Sequence, residues 1–453
     1  MARVAEIRHN SNHSRLNSFQ NTIVMNLRIF PPEGFLETRL SLPLSKSMSA
    51  RALIINALTP GAAPLARVAE CDDTDAMTAA LRGNSPGHRT VNVGAAGTTM
   101  RFLTAYYACT PGADVTLDGT ERMRQRPNKE LVEALRSLGA DIGYEGEPGY
   151  PPLRIRGRKL QGGELELDAS VSSQYISALL MTAPVMERGL RLTLLGEIAS
   201  RPYILMTLKM MRDYGVESEF YLNTVTVPAG GYRAPRSQRE IEGDWSAAAG
   251  WYEIVALSAG AVTIDNLTDD SCQGDRRLAD IYACIGVDTE WEGENGGTDL
   301  VANPDADARA TIDFSDCPDL AQYVTVTCVM LGIPFNFTGL HTLAIKETDR
   351  VAALCNELAK TGVILDASVA GTLSWDGRRV PITEMPEFDT YADHRMAMSL
   401  APIALYIPGI VMNDVEVVSK SYPQYWEDLR AAGFTLVDAD AEPETLQDPE
   451  SQQ

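Results

Sequence analysis

Residues 40–58 read LSLPLSKSMSARALIINAL: an extended apolar alternation, a polar turn, then an apolar helix-forming run. The same order returns five times, as VNVGAAGTTMRFLTAYYA (91–108), ELDASVSSQYISALLMTAP (166–184), IEGDWSAAAGWYEIVALSAG (241–260), TIDFSDCPDLAQYVTVTCVM (311–330) and EFDTYADHRMAMSLAPIAL (387–405). From the third copy onward the spacing is roughly 70 to 75 residues, enough for a βαβαββ unit with ordinary element lengths; only the first gap, about 50, is shorter. Between the copies lie second helices such as NKELVEALRSLG, PYILMTLKMMRDYG and TDRVAALCNELAKTG, most closed by Gly as helix C-termini prefer. The fold class is therefore α/β, with one strand-turn-helix used about six times.

At 453 residues the chain is too long for one ordinary core. It divides near residue 243, where GGYRAPRSQREIEGDWS (230–246) is polar and poor in helix signal. Three copies precede that point and three follow, so two domains of three units each are expected. Residues 1–24, polar and irregular, are expected to be a disordered leader, with Met25 opening the first strand in MNLRIF. Residues 436–453 are expected to be a disordered acidic tail.

Hydrophobic content of 45% and charged content of 22% are those of a soluble globular protein. The net charge of −22 argues against a generic nucleic-acid or anionic-membrane surface, which would be basic. Seven cysteines with no CxxC pair read as buried, reduced thiols of a cytoplasmic protein. No run approaches the ~18 apolar residues of a membrane span.

The first turn poses a charge problem. Lys46 and Arg51 stand at a helix start, where the macrodipole favours acids. One reading is Ser45 as N-cap with two solvated cations; the other is an anion site built from free N–H groups, hydroxyls and cations. The remaining turns add GAAGTTMR (94–101), RMRQRP (122–127), SSQY (172–175), SRPY (200–203), Asp319 in PDLAQY, KETDR (346–350), DHRMAM (393–398) and Lys420 in SKSYPQYW. If KETDR opens a helix, Lys346 and Arg350 share a face at i and i+4, a like-charge pair that costs about 0.2–0.5 kcal/mol. An anion between them would leave Glu347 free for proton transfer; the plainer alternative makes Glu347 their ion-pair partner. In RMRQRP, Arg126 precedes Pro127 and favours an extended backbone, which would send Arg122, Arg124 and Arg126 the same way. Asp393 can serve as a helix cap and nothing more. No nucleophile elbow, HExxH, P-loop or dinucleotide fingerprint occurs, so nucleotide hydrolysis, hydride transfer and metal hydrolysis lose their usual signatures, and no cofactor or metal is expected.

Taken in order, SKSMSAR, AAGTTMRFL, RMRQRP, SSQY, SRPY, PDLA, IKETDR, DHRMAM and SKSYPQYW resemble the 5-enolpyruvylshikimate-3-phosphate synthase family of enolpyruvyl transferases, from about residue 26 to residue 435. The resemblance implies a two-domain inside-out α/β barrel with three βαβαββ repeats per domain, residues 25–44 and 244–435 forming one domain and 45–243 the other, joined by a two-strand hinge. It implies transfer of the enolpyruvyl group of phosphoenolpyruvate to the 5-hydroxyl of shikimate 3-phosphate, with release of phosphate, by a monomer. It places Lys46, Ser47, Arg51, Ser172, Ser173, Gln174, Ser200, Tyr203, Asp319 and Lys346 on shikimate 3-phosphate. Lys46, Gly97, Arg126, Gln174, Arg350, Arg395 and Lys420 would surround phosphoenolpyruvate. Glu347 is assigned proton transfer at C3 of phosphoenolpyruvate, Asp319 the 5-hydroxyl proton, Lys46 the departing phosphate, and His394 a supporting place beside Arg395. Ala95 and Thr342 stand where the family often has Asn, Ala344 where a basic residue is common, and Phe102 where Pro is common. The sister family acting on a UDP-amino sugar usually carries a Cys in the RMRQRPNKE loop, and none occurs here between Cys109 and Cys272. A non-catalytic anion-binding paralogue would lack the acid and base groups that this chain retains.

Overall fold

The computed structural model describes residues 25–82, 87–169, 172–198, 200–293, 296–304 and 307–441. The expected leader at 1–24 and the tail from 442 onward lie outside them. Two separate hydrophobic cores form. One gathers Met48 through Ile241; the other joins Leu27–Leu42 to Trp245–Phe434, so the chain leaves the second core, builds the first, and returns. The two crossings lie side by side: Ser45 N–H donates to Glu242 O at 2.8 Å, Asp244 N–H to Pro43 O at 2.9 Å, and Leu44 bridges Gly243.

Each sheet repeats one pattern. Strands Gly163–Asp168 and Leu190–Leu195 run parallel, then Thr224–Val227 and Glu219–Tyr221 add antiparallel. Arg89–Asn92, Asp114–Asp118, Leu153–Arg156 and Asp141–Tyr144 follow the same order, as do Glu37–Leu40, Ala261–Ile264, Thr298–Ala302 and Val287–Trp291. The parallel pairs are spanned by helices, as parallel strands require. Among the described residues there are five such sheets rather than six. The opening segment 40–58 has no sheet of its own in the first half: its strand Glu37–Leu40 stays with the second core and pairs there with Ala261–Ile264, while its helix Lys46–Ala57 packs in the first, and Leu44 makes only a bridge to Gly243. Strand Thr435–Asp438 pairs with Leu27–Phe30, so the segment expected to be tail from 436 begins inside a sheet.

Helices Lys46–Ala57, Gly97–Ala108 and Ser173–Thr182 pack on one another in the first half; Trp245–Ser258, Ala321–Leu331 and His394–Leu400 do so in the second. Most of them, Gly97–Ala108, Ser173–Thr182, Trp245–Ser258 and Ala321–Leu331, are apolar nearly all round, which suits a helix with no solvent face. In Gly97–Ala108 every residue except Thr98 is buried. The amino-acid order that reads as strand, polar turn and apolar helix thus folds into three mutually packed helices per half.

Glu253 breaks the apolar pattern. It is fully buried in helix Trp245–Ser258, and both carboxyl oxygens lack a hydrogen-bond partner among the described residues. Burial pushes its pKa well above the ordinary carboxyl value, so it is held protonated. A folded-state value above the unfolded one means stability is intact below the normal carboxyl range and declines as pH rises towards the folded value. Glu253→Gln, which mimics the protonated acid, should be increasingly more stable than the parent as pH rises above the ordinary carboxyl range, by up to about 1.4 kcal/mol per pH unit until the folded-state value is reached. Denaturant unfolding at several pH values reads this directly; parallel pH curves for the two proteins would rule it out.

Six of the seven cysteines are buried or half-buried, and Cys284 is exposed, against the expectation of burial; all are unpaired. No described helix is long and apolar enough to cross a membrane.

Candidate active site

The first turns of seven helices meet at one cleft between the halves. Lys46 and Ser47, Gly97 and Thr98, Ser173 and Gln174, Tyr203, Pro318 and Asp319, Arg350, and His394 and Arg395 all line a cavity of about 90 Å³ and all sit at or just inside helix starts. Helix N-termini bring free N–H groups and partial positive charge, so their convergence makes an anion site before any side chain is counted. Ser172 caps helix Ser173–Thr182 through its hydroxyl, at 3.3 Å from Gln174 N. Ser200 precedes helix Arg201–Asp213 in a left-handed conformation, φ 54°. Tyr391 and Ala392, before the His394 helix, are also left-handed, with φ 55° and 52°. Such backbone is costly for residues with a Cβ and is held here where it aims site residues.

Every residue expected at the site lines this cavity except Lys420, which lies just behind Glu347. A second cavity of about 230 Å³ adjoins it, sharing Arg126, Ser172, Ser173, Gln174, Ser200 and Lys346. Six cations and three carboxylates line the first cavity, an excess of three positive charges in a chain of net charge −22.

The charges are tightly paired. Asp319 Oδ1 receives Arg350 Nη1 at 2.7 Å and Lys346 Nζ at 3.2 Å, while Oδ2 receives Arg395 Nη2 at 3.3 Å. Burial alone would raise its pKa, but Lys346, Arg395 and Arg350 outweigh burial and hold it far below the ordinary range. Glu347 meets Lys420 at 2.8 Å, Arg350 at 3.0 Å and Arg126 at 3.9 Å. It too is held well below the usual value against the effect of burial, by Lys420, Arg350 and Arg126. Glu347 is therefore an ion-pair partner in this arrangement, not the free carboxylate expected from the sequence. Asp393 both caps its helix, accepting from Arg395 N at 2.9 Å, and binds Arg350 Nε at 2.7 Å.

Lys46 Nζ pairs with Asp73 Oδ2 at 3.2 Å. Burial lowers the lysine pKa, but Asp73, Cys71 and Glu347 more than restore it, so it stays charged. Arg51 is buried and donates to neutral oxygens: Thr207 Oγ1 at 2.8 Å, Ser47 O at 2.8 Å and Ser177 Oγ at 3.0 Å. It lies 5.4 Å from the Phe102 ring, and desolvation brings its pKa down to about 10. It forms the cavity wall and ties three helices together. His394 is buried, and both ring nitrogens lack hydrogen-bond partners among the described residues. Desolvation, then Lys46, Arg395 and Lys420, hold its pKa well below the usual value, so it faces the cavity neutral. The Arg126 guanidinium rests against Gly97: a Cβ there would lie 2.6 Å from Arg126 Nη1, so the guanidinium would have to shift.

Two local expectations are corrected. Helix Arg350–Ala359 starts at Arg350, with Asp349 as N-cap accepting from Ala352 N at 3.1 Å, so Lys346 and Arg350 do not stand one turn apart on a helix face. They converge on Asp319 instead. In RMRQRP, Thr120 caps a single helical turn, Glu121–Arg124, and the arginines diverge: Arg124 pairs with Asp118 on the surface, Arg126 turns into the cleft, and Arg122 crosses to the other half. Asp73, Thr98 and Pro318 line the cavity without having been singled out. Asp73 belongs to the DDTD run, which as acids in a first turn is ordinary helix chemistry.

The family model described as EPSP synthase (3-phosphoshikimate 1-carboxyvinyltransferase) matches residues 83–429. The 3-phosphoshikimate 1-carboxyvinyltransferase of Bacteroides fragilis strain YCH46 is 49% identical over 403 residues, covering 88% of this chain and 96% of the relative. That of Edwardsiella ictaluri strain 93-146 is 35% identical over 422 residues, covering 86% and 95%. The solved EPSP synthase of Acinetobacter baumannii superposes with TM-score 0.70 at 21% identity, covering 91% of this chain and all of that one, a likeness of fold.

Proposed function

This chain belongs to the EPSP synthase family, and from that premise we propose that its cleft transfers the enolpyruvyl group of phosphoenolpyruvate to the 5-hydroxyl of shikimate 3-phosphate, releasing phosphate. The observation that carries this reading is the convergence of seven helix N-termini with an excess of cations on one cavity. Each substrate brings a phosphate and a carboxylate, about −3 near neutral pH. A strongly acidic protein repels such ligands at long range, and the cleft reverses that field locally. The three mutually packed helices in each half support an inside-out α/β barrel repeated in two domains, and the paired crossings at 43–45 and 242–244 are the natural hinge.

In this reading Ser47, Arg51, Ser172, Ser173, Gln174, Ser200, Tyr203 and Lys346 hold shikimate 3-phosphate. Gly97, Arg126, Gln174, Arg350, Arg395 and Lys420 surround phosphoenolpyruvate. Lys46 contacts both. The 5-hydroxyl oxygen attacks C2 of phosphoenolpyruvate while C3 gains a proton; phosphate then leaves C2 and the methyl group returns a proton, restoring the double bond. Glu347 supplies and removes the proton at C3, and Asp319 accepts the hydroxyl proton. Both carboxylates are locked by cations that the substrates' anions would take up. As Lys420, Arg350 and Arg126 turn to phosphoenolpyruvate, Glu347 loses the partners that depress its pKa and becomes able to carry a proton. Neutral His394 adds no positive charge and fills the space beside Arg395.

The experiment is phosphate release with phosphoenolpyruvate and either shikimate 3-phosphate or UDP-N-acetylglucosamine as acceptor. Turnover with shikimate 3-phosphate alone supports the proposal. Turnover with the UDP-sugar alone assigns the site to the sister reaction, and none with either identifies a non-catalytic anion binder.

A further inference from the structure

Arg122 is exposed, yet its guanidinium crosses the cleft: Nε donates to Glu347 O at 3.1 Å and Nη2 to Lys346 O at 3.2 Å. We propose that Arg122 is a positioning residue that couples the approach of the two halves to the aim of Lys346 and Glu347. The inference rests on the reading of Glu347 as the proton carrier at C3.

The segment it grips has no regular structure of its own. The turn of 3-10 helix His341–Ile345 ends before Lys346, whose backbone is extended at φ −77° and ψ −152°, and the next helix begins only at Arg350. Two consecutive carbonyls accept from one planar fork, a geometry suited to guanidinium. The side chains of the same two residues enter the site, Lys346 to Asp319 and Glu347 to Arg350 and Lys420. Four residues after Arg122, Arg126 comes within 3.9 Å of the Glu347 carboxylate, so segment 120–126 holds Glu347 by backbone and by side chain.

That segment is itself fixed. Thr120 N–H donates to Gly94 O at 3.0 Å, and Arg124 is tied to Asp118, its Nε to Oδ1 at 2.9 Å. The donor and acceptors of the Arg122 fork lie on opposite sides of the crossings at 43–45 and 242–244. Its bonds therefore exist only while the halves are together, and they stabilise the arrangement in which Glu347 faces the cavity.

Arg122→Ala and Arg122→Lys test this by phosphate release, with kcat and KM separated, and by thermal unfolding. Loss of the fork should lower kcat by roughly tenfold or more. Thermal unfolding should stay within about 2 °C, because the side chain is exposed and caps nothing. Lysine should not restore kcat, since it lacks the fork, whereas ethylguanidine added to Arg122→Ala should restore part of it. With both substrates saturating, the Ala variant should also show a larger radius of gyration than the parent. An active parent with unchanged kcat in Arg122→Ala, full rescue by lysine, or a changed KM with normal kcat would each overturn the coupling alone. A parent that releases no phosphate would overturn the enolpyruvyl-transfer reading, and the coupling with it.

Discussion

Glu347→Gln is expected to lower kcat by about 10²–10⁴-fold, the range that a positioned acid–base group contributes, while KM for phosphoenolpyruvate stays level or falls. The split follows from the ion pairs. Glu347 neutralises part of the charge on Lys420, Arg350 and Arg126. The amide removes a negative charge from a cavity that already carries a positive excess, so an anionic substrate should bind no worse. It also cannot carry a proton to C3 or take one away. Loss of chemistry without loss of affinity is the signature of a group acting in the transition state. Steady-state kinetics at saturating shikimate 3-phosphate measures both constants. A variant within tenfold of the parent in kcat would remove Glu347 from the proton path and leave it an ion-pair partner.

Lys46→Ala should be as damaging, but in both constants. Lys46 stands at the first position of its helix, where the dipole opposes a cation by about 0.3–1 kcal/mol, and Asp73 at 3.2 Å keeps it charged. If its ammonium contacts both ligands, two charge-assisted bonds at about 1.5–3 kcal/mol each are lost, which corresponds to a fall in kcat/KM of roughly 10²–10⁴-fold. The helix itself should be indifferent, because Ser45 still caps it and an unfavourable charge has gone. A fall in kcat and a rise in KM for both substrates is the expected result, with some loss of thermal stability because buried Asp73 is left without its cation. A rise in KM for one substrate alone would confine Lys46 to that ligand. Asp73, which lines the same cavity, is the residue that keeps Lys46 charged.

The turns were the most legible part of the chain. An apolar helix that must be buried on all sides can offer only its ends to a ligand, and the repeated motif marks those ends, from Lys46 to His394. What the motif does not encode is which end is neutralised by what. Asp73 looks like a routine first-turn acid, and only the fold brings it to Lys46. KETDR looks like a helix start at Lys346 because its charges are spaced by four, but Asp349 is the better cap and delays the helix to Arg350. That signal was present, since Asp is a strong N-cap residue. The three arginines of RMRQRP look extended because of Pro127, yet Thr120 closes a helical turn before the proline acts. The sheet that fails to form around residue 40 is the plainest tertiary effect: strand Glu37–Leu40 pairs with Ala261–Ile264, over 200 residues away in the second core, while the helix that follows it joins the first.

Enolpyruvyl transfer in this cleft requires C3 of phosphoenolpyruvate to be protonated and then deprotonated, and turnover in D₂O followed by mass spectrometry of the enolpyruvyl product reads both steps. Deuterium is expected in the product methylene group, carried through a transient methyl group. Product formed at the normal rate with no deuterium at that carbon would contradict it, because enolpyruvyl transfer would then proceed without a proton at C3 and Glu347 would have no chemical task.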